Sequence, residues 1–187
     1  MEKNQDIVIL LYVFYFFMFT FAPPNDEVIT WRDDIKLSWK NFKGDPKPNS
    51  NAVAVTASGI TFEYSVKEAQ SKIVSFTTTI KAHFYPNKSW YIKERADNHI
   101  LAHEQLHFDI TELHVRKFRK EVAQLKVSPR LKNELRRLHE KINTDLAIMQ
   151  NLYDTESDNS INKEAQAKWQ LFVKKELKSL EYYKSKD

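Results

Sequence analysis

The hydrophobic pattern of this chain changes period once. Residues 52–66 and 73–85 alternate. Ile60, Phe62 and Tyr64 stand against Thr61 and Glu63, and Ile73, Ser75, Thr77 and Thr79 stand against Val74, Phe76, Thr78 and Ile80. A period of two sends successive side chains to opposite faces, so both runs are predicted to be half-buried strands, with residues 67–72 closing a hairpin. Residues 28–31 and 37–39 are short apolar stretches read as further strands. Lys43-Gly44-Asp45-Pro46 signals a turn, and residues 46–51 are a loop by composition.

Pro86-Asn87-Lys88-Ser89 ends the strand pattern, and from Trp90 to about Val127 the apolar period is helical. Ser128-Pro129 is a helix start, with Ser as cap and Pro at the first position, and it opens a second helix over residues 129–152. A polar loop over residues 153–160 leads to a third helix over 161–183, with Trp169, Phe172, Val173, Leu177 and Leu180 on its apolar side. The order predicts an α+β fold: a small antiparallel sheet in the N-terminal half, then three long helices.

Ahead of this lies an almost unbroken apolar run, residues 7–22, followed by Pro23-Pro24 as a linker. As a helix it would span about 24 Å at 1.5 Å per residue, short for a bilayer core of about 30 Å. The length suits a secretory signal, although the leading segment is not net positive and no A-x-A-like cleavage site precedes the prolines. Residues 1–22 are therefore expected to be a signal peptide or an uncleaved membrane anchor, and 23–187 one exported domain, secreted or periplasmic.

Composition narrows the chemistry. The chain has no cysteine, which excludes disulfides, zinc–thiolate sites and a lipid-anchor cysteine. Any metal must be held by His, Asp or Glu. Gly44 and Gly59 are its only glycines, too few for a phosphate loop or a dinucleotide fingerprint. The formal net charge of +4 is spread over charges of alternating sign, which reads as a solvated surface and not a nucleic-acid groove.

The chemistry concentrates in His103-Glu104-Gln105-Leu106-His107. No Gly or Pro interrupts it, and Leu106, Ile110 and Leu113 recur at helical spacing. On a helix His103 and His107 are one turn apart and point the same way, so they can grip one zinc ion. Glu104 is rotated aside but close enough to act on a metal-bound water. His99 and His114 share the face, but His99 to His107 already spans about 12 Å of axis, against Zn–N bonds of about 2.0–2.1 Å. Those two are expected to be outer-shell or core residues.

The third ligand must come from elsewhere. Candidates are Asp154, Glu156 and Asp158 in the polar loop, Glu134, His139 and Glu140 on the second helix, and His83 on the preceding strand. The loop is favoured because a junction between helices can reach back over the first. Tyr153 at its start could donate to a tetrahedral oxyanion. Asp109 and Glu112 are candidates for orienting the imidazole N–H groups. An extended peptide could add to an edge strand of the preceding sheet.

Beyond the pentapeptide the chain resembles the bacterial domain-of-unknown-function 922 family, labelled as predicted secreted zinc-dependent proteases. The resemblance runs through Leu37-Ser38-Trp39, Phe42, Gly44, Ala57-Ser58-Gly59-Ile60 and Ser89-Trp90. It continues through Leu101 to Ile110 with Glu112, then Tyr153-Asp154, Gln166 and Trp169. It implies export, a zincin-like site and peptidase activity. The family pattern would carry Thr and then His after the Tyr-Asp pair, where this chain has Ser157 and Asn159. Either Asp158 or another acid is expected to stand in for that His as third ligand, or the site is weakened.

The expected function is thus an exported zinc metallopeptidase acting on peptides or proteins, with Glu104 as general base and Tyr153 assisting. The alternatives are a degenerate zincin-like binding module without catalysis, or a membrane-anchored interaction protein whose histidines only pack.

Overall fold

A computed structural model describes residues 27–47, 50 and 52–185. The expectations for residues 1–22 and for the Pro23-Pro24 linker lie outside the described residues. Within them the fold is α+β, as the pattern predicts. Strand β1 (Ile29–Thr30) pairs with β4 (Lys72–Phe84), and β4 pairs with β3 (Ser58–Ala69), all antiparallel. A second ribbon pairs β2 (Ala54–Val55) with β5 (Trp90–Tyr91). Helices α1 (Asn98–Val122), α2 (Leu131–Ser157) and α3 (Lys163–Ser179) follow. Among the described residues no helix is long and apolar enough to cross a membrane.

The local departures have local causes. The hairpin is tighter than residues 67–72, because Gln70 and Ser71 both take positive φ (50° and 61°) and turn the chain in two residues. Residues 37–39 are not a strand. The Ser38 backbone N–H donates to Asn41 Oδ1 at 2.8 Å, and the chain coils into a 3-10 turn over Trp39–Asn41. Trp90 belongs to β5, and α1 begins at Asn98, where Asp97 Oδ1 accepts from the Ile100 N–H at 2.8 Å. Gly44 lies under the following turn. A Cβ there would meet Asn87 O at 2.9 Å and Ser89 O at 3.0 Å, both backbone atoms, so no side chain fits.

α1 is the central element. Its residues Phe108, Val115 and Phe118 pack into one core with Ile80, Ala82 and Phe84 of β4 and with Leu131, Leu135 and Ile142 of α2. Leu106 and Ile110 enter a second core with Leu146, Tyr153, Trp169 and Val173. Phe108, Ile110, Leu113 and Val115 have no exposed surface at all. Each such side chain contributes about 1.5–3 kcal/mol through burial, which makes α1 the best-anchored element in the molecule.

Candidate metal centre

The centre forms where α2 crosses α1. The polar residues 153–157 are not a loop, because α2 continues through them to Ser157. The reason is a buried stripe inside the polar stretch. Leu146, Tyr153 and Ser157 are all buried, at helical spacing, and Ser157 Oγ donates to the Tyr153 carbonyl at 2.7 Å. Only after Ser157 does the chain turn, through Asp158, Asn159 and Ser160 at positive φ.

That extra turn delivers Asp154 to the histidine pair. Asp154 Oδ1 lies 3.1 Å from His103 Nε2 and 2.8 Å from His107 Nε2, and the two ring nitrogens are 3.1 Å apart. His103, His107 and Asp154 form a group that could hold a metal ion. A tetrahedral ion with bonds of about 2.0–2.1 Å sets its donors about 3.3 Å apart, close to the size of this triangle.

The protonation pattern points the same way. Gln150 Nε2 donates to the His107 carbonyl at 2.9 Å and to Thr111 Oγ1 at 3.3 Å. Gln150 Oε1 therefore faces His107 Nδ1, which must carry the hydrogen of that bond. In a neutral ring Nε2 is then a bare lone pair, aimed at a carboxylate oxygen and at a second imidazole nitrogen. Acceptors so close repel one another unless a cation stands among them. With no metal that cation is a proton. Burial opposes charge on His107, but the hydrogen bond to Asp154 and the charges of Glu104 and Asp154 outweigh it and raise its pKa. Burial likewise works against charge on Asp154, yet its bonds to His103 and His107 hold its carboxyl well below the usual carboxylate range.

Further polar atoms at the centre are buried without a protein partner. They include His103 Nδ1, Glu104 Oε2 and the Tyr153 hydroxyl. An unsatisfied buried acceptor costs about 1–3 kcal/mol, so Glu104 Oε2 is a place for a bound water or substrate hydrogen. His103, Glu104, His107, Gln150 and Asp154 share one cavity of about 710 Å³, walled on its far side by residues 52–56. Thr56 Oγ1 donates to the Glu104 carbonyl at 3.2 Å and ties that wall to α1.

Other candidates fall elsewhere. Asp158 caps α2 in the left-handed region (φ 49°), is exposed, and is not in the donor group. Asp154, four residues earlier, holds that place. Asn159 lines the cavity. Tyr153 is wholly buried and does not line the cavity. Its ring stacks on His103 at 4.5 Å and meets His107 edge-on at 5.0 Å, so it props the imidazoles. Burial, then the charges of Glu104 and Asp154, push its pKa far up, and its hydroxyl stays protonated.

Asp109 and Glu112 do not orient the rings. Asp109 Oδ1 accepts from Trp31 Nε1 at 2.8 Å and Gln105 Nε2 at 2.9 Å, and Glu112 pairs with buried Arg116 at 2.9 Å. Glu156 accepts from Trp169 Nε1, His83 contacts Thr61, His139 packs on Phe62 and Phe118, and Glu140 pairs with Arg136. Glu134 is outside the group as well. His99 and His114 make outer contacts, with Ser160 O at 2.7 Å and Ile110 O at 2.9 Å. Gln150, which aims His107, was not among the sequence candidates. Its place on the stripe of Leu146 and Tyr153 was the available signal.

The family model described as "Bacterial protein of unknown function (DUF922)" matches residues 34–164, which hold β2 to β5, α1 and the whole of α2. The chain belongs to the DUF922 family. The matched range includes His103, His107 and Asp154. No curated protein and no solved structure matches the chain.

Proposed function

We propose that this protein is an exported zinc-dependent metallopeptidase. The observation that carries the reading is the convergence of His103 Nε2, His107 Nε2 and Asp154 Oδ1 beside a buried, unpartnered Glu104 oxygen in one cavity. A zinc ion on three protein donors keeps a position open, where it polarises a carbonyl and makes water nucleophilic near neutral pH.

The chain's own residues do the rest. Glu104 takes the proton from the attacking water and passes it to the leaving amine. Gln150 holds His107 with Nε2 turned inward, and Tyr153 holds the plane of His103. Among the described residues β2 pairs only with β5, and it lines the cavity, so its backbone is open to an extended peptide adding as a further strand. The apolar run of residues 7–22 supports export.

The test is zinc content of the full chain, with hydrolysis of a peptide library by wild type and Glu104→Gln. We expect about one zinc per chain in both proteins. Cleavage should fall by about 10²–10⁴-fold in the variant, the usual contribution of general acid–base catalysis. Stoichiometric zinc with no Glu104-dependent cleavage would turn the reading to a non-catalytic binding module, and absence of zinc would end both.

A further inference from the structure

We infer that Arg95 selects the substrate by binding a carboxylate carried by the peptide. The inference rests on the peptidase reading and names its substrate class. Outside the metal group and Glu104, the side chains lining the cavity are uncharged, with one exception. Val53, Val55, Ile100 and Ile161 make apolar wall, and among the described residues Arg95 supplies the only other charge.

Arg95 is held in place by its backbone while its guanidinium is left open. Its N–H donates to the Ile92 carbonyl at 3.0 Å, and the Ile92 N–H donates to the Val53 carbonyl at 2.8 Å. The turn that carries Arg95 is thus fastened to the strand that walls the cavity. The side chain makes no hydrogen bond or ion pair among the described residues. Asp97, the nearest acid on its C-terminal side, is engaged in capping α1. The buried arginine Arg116, by contrast, is paired with Glu112. Arg95 is exposed where it lines the cavity, and a guanidinium without a protein partner is matched by a carboxylate, which it binds through two parallel hydrogen bonds.

Arg95 precedes α1 by three residues, and α1 carries His103 and His107, so the metal group and Arg95 line one cavity. Ile161, 75% exposed, lines it too and adds an apolar contact. The carboxylate is either an Asp or Glu side chain or the free C-terminus of a short peptide.

The experiment uses the zinc-loaded full chain and three sets of hexapeptides with apolar centres. One set has Glu near the centre and an amidated C-terminus. One has Gln there with a free C-terminus, and one has Gln with an amidated C-terminus. Cleavage is measured for wild type, Arg95→Gln and Arg95→Glu, and binding is measured by calorimetry on Glu104→Gln. We expect at least one carboxylate-bearing set to be favoured about ten-fold or more in both readouts. Which set it is identifies the source of the carboxylate. Arg95→Gln should erase the preference, and Arg95→Glu should disfavour the same peptides further.

Glu104-dependent cleavage with equal treatment of all three sets would overturn the inference and leave the peptidase reading standing. Carboxylate-dependent binding lost in Arg95→Gln, without cleavage by any protein, would uphold recognition and overturn the peptidase reading. Neither cleavage nor binding would overturn both.

Discussion

Gln150 Nε2 donates to the His107 carbonyl at 2.9 Å, and this single bond decides which face of the His107 ring is free. It turns Oε1 toward Nδ1 and leaves Nε2 for the metal group. The contact joins α1 to α2 across 43 positions of chain. Gln150→Leu removes both bonds to His107, and the one to Thr111, and frees the ring to rotate. Zinc affinity should fall by about 10–100-fold, as is usual when the group behind a ligating imidazole is lost. Competition against a chromophoric chelator measures this, and an unchanged affinity would show that Gln150 does not set the ring.

Asp154 and Asp158 provide an internal control four residues apart. Zinc should raise the melting temperature of wild type, because a ligand bound at 100 times its Kd stabilises by about 2.7 kcal/mol. Asp158→Ala should keep that rise, and Asp154→Ala should lose most of it. Thermal unfolding with and without zinc, read by circular dichroism, checks both. A full response in Asp154→Ala would remove Asp154 from the site.

His114 makes a pH prediction away from the metal. Burial depresses its pKa below the ordinary 6.5, with the bond to the Ile110 carbonyl only partly offsetting this. The folded state therefore keeps the ring neutral while the unfolded chain protonates it. The stability linked to His114 is fully present above pH 6.5 and is lost as pH falls from there through the folded pKa. In excess chelator, urea unfolding between pH 7.5 and 5 should show a steeper loss for wild type than for His114→Gln. The difference is at most about 1.4 kcal/mol per pH unit for one proton. Equal slopes would mean that His114 titrates normally in the fold.

Glu112 and Arg116 form an ion pair inside the protein, 2% and 1% exposed at the side chain. Arg116 also donates to the Leu177 carbonyl at 2.7 Å and so fastens α1 to α3. Burial raises the Glu112 pKa despite its arginine partners, a sign that desolvation offsets much of the attraction. Glu112→Ala should cost less than the about 3–5 kcal/mol of a fully stranded buried charge, because Glu181 Oε2 still accepts from Arg116 at 3.1 Å. The double variant Glu112→Leu, Arg116→Met should be less destabilised than that single one. Urea midpoints of both variants test the ordering, and additive losses would contradict it.

Much of the architecture was legible from neighbours in sequence. The alternation around Phe62 and Phe76, the break at Pro86 and the helical period through Leu106, Ile110 and Leu113 are local patterns, and the strands and helices follow them. His103 and His107 lie on one turn of α1 because a helix places i and i+4 together whatever surrounds it. The α2 boundary was misjudged because residues 153–160 are mostly polar. Their polarity describes the wet face, while Tyr153 and Ser157 carry the buried one.

By itself, then, the sequence determined the element types, the helical histidine pair and the restriction of metal donors to imidazole and carboxylate. Only tertiary structure decided that Asp154 meets the pair, that Gln150 aims His107, and that Tyr153 lies beneath the rings. The physical reason is that side chains on one helix turn are related by backbone geometry alone. Which carboxylate of α2 arrives opposite them depends on how α2 crosses α1, and that crossing is set jointly by the cores around Phe108 and Ile110.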